Sequence, residues 1–144
     1  MKTQFRFEKL NVWQEARTLN AFVYRLTRDF PSHELYAMTS QMRRAAVSVS
    51  CNIAEGSGRN SDRDFAHYLE QAYGSLMEGA SLFYLALDEK YLSKEDVEPA
   101  LEKIESLAKQ LAALNRSLSV KTSKTPFVRN ACNPALDPRP STFD

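Results

Sequence analysis

The sequence predicts an all-α fold, an antiparallel four-helix bundle in up-down-up-down order, and three observations carry that reading. Only four glycines occur in 144 residues, so little of the chain has the freedom that tight turns need. Four of the six prolines, Pro126, Pro134, Pro138 and Pro140, lie at the C-terminal end, which leaves the body nearly free of helix breakers. Apolar residues recur at spacings of three and four in four successive stretches, the period of a single helix face. No strand-like alternation or internal repeat competes with them.

The first helix is expected over roughly 9–29, with Trp13, Ala16, Leu19, Val23, Leu26 and Phe30 on one face and a stop before Pro31. A second begins at Ser32, a natural N-cap, with Glu34 in the first turn where a carboxylate suits the helix dipole, and runs to Glu55. Ser61 and the early carboxylates Asp62 and Asp64 open a third. Its apolar face is Phe65, Tyr68, Leu69, Ala72, Leu76, Ala80, Phe83 and Leu87. The fourth carries Val97, Leu101, Ile104, Ala108, Leu111, Leu114 and Leu118; Pro99 places its regular start near Asp96, after one looser turn at Ser93. Short connections between long helices give the up-down-up-down order. Residues 1–119 form the bundle, and 120–144, rich in proline and without periodicity, read as an extended or disordered tail.

The second helix has three faces on a helical wheel. Met42, Ala45, Ala46, Val49 and Ile53, continued upstream by Leu35 and Met38, face the bundle core. Val47, Cys51 and Ala54 make a second apolar strip nearly opposite. A helix of a monomeric bundle needs one such face, so the second is the candidate interface with another copy. Between the two runs a polar line: Gln41, Arg44, Ser48, Asn52, Glu55 and Arg59. The third helix has a companion line in Asp64, His67, Gln71, Ser75 and Glu78. These lines predict a cross-helix network with Gln41, Asn52, Glu55, Gln71 and Glu78 as members, in which Arg44 or Arg59 meets Glu55 or Glu78. Gly56-Ser57-Gly58 ends the helix, with glycine available for a left-handed residue.

Composition narrows the functional classes. Net charge is +1, but residues 1–64 hold ten Lys/Arg against seven Asp/Glu while residues 65–120 hold five against nine. A positive half and a negative half suit each other within a chain or between copies. The N-terminal MKTQFRFEKL contains no apolar stretch of signal-peptide length, and the longest apolar run, residues 82–87, is far below the ~20 residues that span a bilayer. A soluble cytoplasmic protein without a membrane partner is expected, its two cysteines, Cys51 and Cys132, reduced.

Among chemical motifs, Cys51 would need a base, and only His33 and His67 exist, neither fixed beside it by sequence. A small hydrolase using Cys51 is therefore the weakest reading; the cysteine is expected to act as a small hydrophobe. Asp64-Phe65-Ala66-His67 has carboxylate–histidine spacing but no second copy to complete a bundle metal site, and no metal or other cofactor is expected. Gly56-Ser57-Gly58 lacks the Lys-Ser/Thr of a phosphate loop. Arg43, Arg44, Arg59 and Arg63 are the candidate nucleic-acid contacts, which would be salt-dependent and carry little base specificity. Salt bridges from these arginines to the acidic third and fourth helices of another copy are the alternative.

Five motifs, in order, carry a family resemblance: LNVWQEA (10–16), LTRDFP (26–31), QMRRAAVSV (41–49), NIAEGSGR (52–59) and AYGSLME (72–78). Over residues 8 to about 118 the chain resembles the bacterial four-helix-bundle proteins encoded in intervening sequences of 23S rRNA genes. That family is in turn distantly similar to the accessory proteins of diversity-generating retroelements, barrel-like homopentamers that work with a reverse transcriptase and its RNA. The resemblance implies a homopentamer and points to RNA or DNA and a reverse transcriptase as partners, without implying any enzymatic activity; the protein is expected not to be an enzyme. Against strong electrostatic binding, residues 1–120 hold 15 Lys/Arg and 16 Asp/Glu, whereas the retroelement proteins are strongly basic. Binding would require local concentration of arginines. A protein-interaction scaffold without nucleic acid is the alternative function.

Overall fold

The structure is a computed structural model that describes residue 2 and residues 4–122 of the chain. Four helices follow a short 3-10 turn at Arg6–Lys9: α1 (Asn11–Thr27), α2 (Met38–Ser57), α3 (Asp62–Asp88) and α4 (Lys94–Thr122). Each packs on its neighbours in sequence and α4 closes back on α1, so α1 lies diagonal to α3 and α2 to α4. No strand occurs among the described residues. The expected tail begins three residues early, since helical backbone continues to Thr122; its remainder lies outside the described residues.

The core is the convergence of the predicted apolar faces. Ala16, Leu19 and Val23 of α1 meet Met42, Val49 and Ile53 of α2, Phe65, Leu69, Leu76 and Phe83 of α3, and Val97, Ile104 and Leu111 of α4, all buried. Trp13, Leu26 and Phe30 lie at its edge, part-buried. Burying side chains of this size contributes about 1.5–3 kcal/mol each.

The connection into α2 departs most from expectation. Ser32 caps nothing; Ser32–Glu34 form a 3-10 turn, and α2 begins at Met38, after Ala37 at φ −121°, ψ −107°. Glu34 replaces Ser32 as the cap, its carboxylate accepting from the Met38 amide at 3.1 Å and from the Tyr91 hydroxyl at 3.0 Å. These two hydrogen bonds, in that order, and His33 beyond them, hold the Glu34 carboxyl below its ordinary value of 4.5. Because the chain turns here instead of winding, Leu35 is 47% exposed and does not extend the core stripe.

Tyr91 reaches Glu34 through the end of α3. Lys90 adopts φ 60°, and the Tyr91 and Lys90 amides return to the carbonyls of Ala86 and Leu87 at 3.0 Å each. This is a Schellman turn with lysine in the left-handed place that glycine usually fills. It sets the Tyr91 ring against Phe30, centroids 5.4 Å apart.

The other two starts differ. Ser61 caps α3 as predicted, accepting from the Asp64 amide at 3.1 Å. Helix α4 starts at Lys94, not near Asp96. Ser93 and Asp96 cap each other reciprocally, the Asp96 amide donating to the Ser93 hydroxyl at 3.3 Å and the Ser93 amide to the Asp96 carboxylate at 3.2 Å. Pro99 sits inside the helix on its exposed side, where the one amide it removes leaves the Glu95 carbonyl to water.

Helices α2 and α3 meet at Gly56. A Cβ there would stand 2.6 Å from the Tyr68 Cβ and 2.9 Å from Phe65 Cδ2, so only glycine admits this approach. The helix runs through it to Ser57, and Gly58, at φ −85°, caps it without a left-handed residue, contrary to expectation. Arg6 adds a cap from outside the bundle, Nη1 donating to the Ser57 carbonyl at 3.2 Å while its guanidinium lies over the Phe65 ring.

Gly56→Ala is expected to destabilise the protein by about 1–3 kcal/mol in urea unfolding, as overpacking of a tight contact does. Gly79→Ala should instead stabilise by about 0.5–1 kcal/mol, since its new methyl would lie 3.9 Å from Ile104 Cδ1 in ordinary contact. Equal effects from the two would refute the close approach. For Glu34, the carboxyl lowered on folding contributes stability present above about pH 4.5 and lost as pH falls through the folded value. The stability difference between the native chain and Glu34→Gln should therefore shrink on acidification, and a difference independent of pH would show that the cap contributes nothing.

Candidate nucleic-acid and self-association surfaces

The four candidate arginines do not form one surface. Arg43 and Arg59 are separated by the stretch of α2 from Arg43 to Ser57, about 21 Å at ~1.5 Å per residue; Arg59 lies in the turn after α2 and Arg63 on the first turn of α3. At the near end, Arg43 is held by α1: its Nε donates to the hydroxyl of buried Thr27 at 2.9 Å, and its guanidinium lies 4.7 Å from the Tyr24 ring centroid. Thr27 passes its own proton to the Val23 carbonyl at 2.9 Å, so the contact is fixed to the α1 backbone. Arg44 is exposed, with no hydrogen bond or ion pair among the described residues. Together they line an open cleft of about 640 Å³ with Tyr24, Tyr36, Thr39 and Val47. No carboxylate of the described residues lines it.

At the far end the charges are balanced. Arg59 donates to Glu55 at 2.9 Å and to the Tyr68 hydroxyl, and Tyr68 donates to the same Glu55 oxygen at 3.1 Å. Arg63 borders a shallow depression with Asp62, His67 and Glu70. These two arginines therefore offer less field to a polyanion than Arg43 and Arg44, because carboxylates share their surroundings.

The polar seam between α2 and α3 forms with some of the expected partners and not with others. Gln41 donates to Glu78, the Ser48 and Ser75 hydroxyls meet at 2.9 Å, and Asn52 donates to the Ser48 carbonyl at 2.8 Å and its hydroxyl at 3.0 Å. Arg59, from the turn after α2, does meet Glu55 directly and through Tyr68 of α3, whereas Arg44 meets neither Glu55 nor Glu78. Gln71 pairs with His67 on its own helix at 3.1 Å and does not cross the seam. Only the middle, Ser48, Asn52 and Ser75, is part-buried; Gln41, Glu55, Gln71 and Glu78 are exposed. The seam is thus a register device at its centre and a solvated rim at its ends.

The second apolar strip faces outward: Val47 is 36% exposed, Cys51 is exposed and Ala54 is half-buried. Neither histidine is bonded to Cys51, since His33 contacts Tyr91 at 3.4 Å and His67 contacts Gln71. A second apolar face lies elsewhere, at the α3/α4 groove, where Tyr73, Met77 and Tyr84 are exposed above Leu101 and Ala108 in a cleft of about 440 Å³. Its one ion pair, Lys109 to Glu105 at 2.7 Å, is internal to α4 and holds the Glu105 carboxyl below its ordinary value. Gly74, on the outer crest of α3 beside this groove, has nothing within 4 Å of where its Cβ would be.

Sequence reasoning passed over Tyr24, Tyr36 and Thr27, and assigned Tyr68 wholly to the apolar face. Tyr24 stands off the buried line of α1, a signal visible on a helical wheel. Tyr36 lies in the turn before α2 and is almost fully exposed. Among the described residues no helix is long and apolar enough to cross a membrane.

Comparison with known proteins agrees with this architecture. A solved structure of a protein of unknown function from the S23 ribosomal protein family, from Bacteroides thetaiotaomicron VPI-5482, superposes with a TM-score of 0.65 at 20% identity, covering 72% of this chain and 97% of that one. At that identity the likeness is one of fold. No curated protein matches significantly. The family model described as "23S rRNA-intervening sequence protein" matches residues 8–113, which takes in all of α1, α2 and α3 and most of α4. On that match, the chain belongs to the 23S rRNA-intervening sequence protein family.

Proposed function

We propose that this protein is a non-catalytic homo-oligomeric scaffold, a ring of five copies, that associates with the phosphate backbone of RNA or DNA and serves a reverse transcriptase as in diversity-generating retroelements. The observation that carries the assembly is the pair of unlike apolar faces on one subunit. The outer strip of α2 (Val47, Cys51, Ala54) and the α3/α4 groove (Tyr73, Met77, Tyr84) are on different sides of the bundle. Unlike patches on different sides favour head-to-tail contacts, which close into rings where the rotation permits. Gly74 supports the same reading. A glycine in the middle of an exposed helix costs about 0.5–1 kcal/mol relative to alanine, and no contact among the described residues uses its lack of a side chain.

The nucleic-acid part rests on Arg43 and Arg44. The first is pre-oriented by neutral partners, and among the described residues the second is without a carboxylate partner and no acid lines their cleft. That is the local concentration of charge that a near-neutral body requires. A protein-interaction scaffold without nucleic acid is the second reading, favoured by the charge-poor α3/α4 groove; capture of a partner that survives nuclease treatment would decide for it.

Light scattering after size exclusion should give about five times the 16.4 kDa mass of the chain. Cys51→Asp or Tyr84→Asp, each at a position exposed in the subunit and away from the Arg43 cleft, should reduce that mass with helix content unchanged. A monomer at micromolar concentration in the native chain would end the assembly reading. Binding of labelled RNA should weaken between low and moderate salt, and Arg43→Glu with Arg44→Glu should lower the salt slope by about 0.7 per lost contact on a single strand. Affinity that is flat across salt, or that survives the double charge reversal, would remove the arginine assignment.

A further inference from the structure

The cleft at the start of α2 combines features that a plain phosphate site does not need. Arg43 is anchored twice, Nε on Thr27 and ring face on Tyr24, and no described residue accepts from its Nη groups. An anchored guanidinium loses little freedom when it binds a phosphate and presents its remaining donors as a fork. Arg44 adds a second charge one residue on. Glu34, the carboxylate of the adjoining turn, is committed to the Met38 amide and Tyr91 and does not line the cleft. In the wall, the hydroxyl of Thr39 is buried with no hydrogen-bond partner among the described residues.

Beside these cations stands Tyr36, 93% exposed on the turn that precedes α2. No ring contact and no hydrogen bond of its side chain is formed among the described residues, so folding of the subunit gives no account of an aromatic there. Tyr24, 41% exposed, continues the aromatic surface past Arg43. Aromatic rings interleaved with guanidinium groups are the composition of grooves that hold single strands, where bases stack on rings and phosphates meet cations. A duplex keeps its bases stacked on one another, and its backbone alone would make no use of the ring. The volume, about 640 Å³, lies within the roughly 300–1,000 Å³ of ordinary ligand clefts.

We infer that this cleft takes one unpaired nucleotide of a single-stranded nucleic acid, its phosphate at Arg43 and Arg44 and its base against Tyr36. The inference rests on the nucleic-acid reading above and narrows it from backbone association to unpaired strands. The ring supplies stacking and the guanidiniums supply charge, so the two contributions separate experimentally.

The test is fluorescence anisotropy on the full chain at low salt, with a short labelled oligouridylate and a blunt RNA duplex of equal charge as probes. The native protein should hold the single strand more tightly. Tyr36→Ala should weaken single-strand binding by roughly 5- to 100-fold and leave the duplex unchanged, while Tyr36→Phe should bind like the native chain. If both probes bind with salt dependence and Tyr36→Ala weakens neither, the unpaired-strand inference falls and backbone association stands. If neither probe binds, both fall. If Tyr36→Ala changes the mass measured by light scattering, the ring belongs to a contact between copies and the inference is overturned.

Discussion

The close crossing of α2 and α3 at Gly56 is the constraint on which the remaining geometry depends. With no side chain at this position, the last turn of α2 comes within reach of the Tyr68 Cβ and the Phe65 ring. That approach sets the separation of the two helices. From it follow the meeting of the Ser48 and Ser75 hydroxyls two turns away, the reach of Gln41 to Glu78, and the placing of Tyr68 between Glu55 and Arg59. A wider pair would part the Ser48 and Ser75 hydroxyls and leave part-buried Ser75 without its partner across the seam, at a cost of about 1–3 kcal/mol.

Both ends of the bundle are closed by side chains from outside the helices they cap. Arg6, from the segment before α1, covers the C-terminal carbonyls of α2, where a cation suits the helix dipole. Glu34 covers the first amide of α2 and is held there by Tyr91 from the α3–α4 turn. One helix is thus tied at its start to the α3–α4 turn and at its end to the N-terminal segment. The same arrangement brings α2 out of its preceding turn late, which exposes Leu35 and leaves Tyr36 beside the cleft that Arg43 and Arg44 line. A device that terminates a helix here also creates a charged and aromatic surface.

Helix order and core were legible in the sequence because both depend on period. Ala16, Leu19, Met42, Val49, Ile53, Phe65, Leu76, Phe83, Ile104 and Leu111 were all on predicted faces and all are buried. The Ser61 cap was legible for the same local reason, and so was the outward strip of Val47 and Cys51. The start of α2 was misread because Ser32 fits the local cap pattern, whereas Glu34, read as a first-turn carboxylate, is set as the cap by its bonds to the Met38 amide and to Tyr91 from a distant turn. The start of α4 was misread because the penalty of Pro99 was judged without the reciprocal Ser93–Asp96 cap and the solvent beside Glu95. The four arginines were grouped by composition, yet helix length keeps Arg43 and Arg44 far from Arg59 and Arg63.

The sequence by itself therefore determined the number, order and inward faces of the helices, and through its ordered motifs the family. These follow from hydrophobic period and local backbone chemistry, which act over a few residues. Only the tertiary structure decided which polar groups met: Arg43 with Thr27 and Tyr24, Gln41 with Glu78, Gln71 with His67, and Arg44 with none of the acids drawn for it. The reason is physical. A polar side chain has several partners of suitable chemistry within its helix and across each seam, and the choice among them is set by interhelical distance and register, which Gly56 and the two end caps fix for the molecule as a whole.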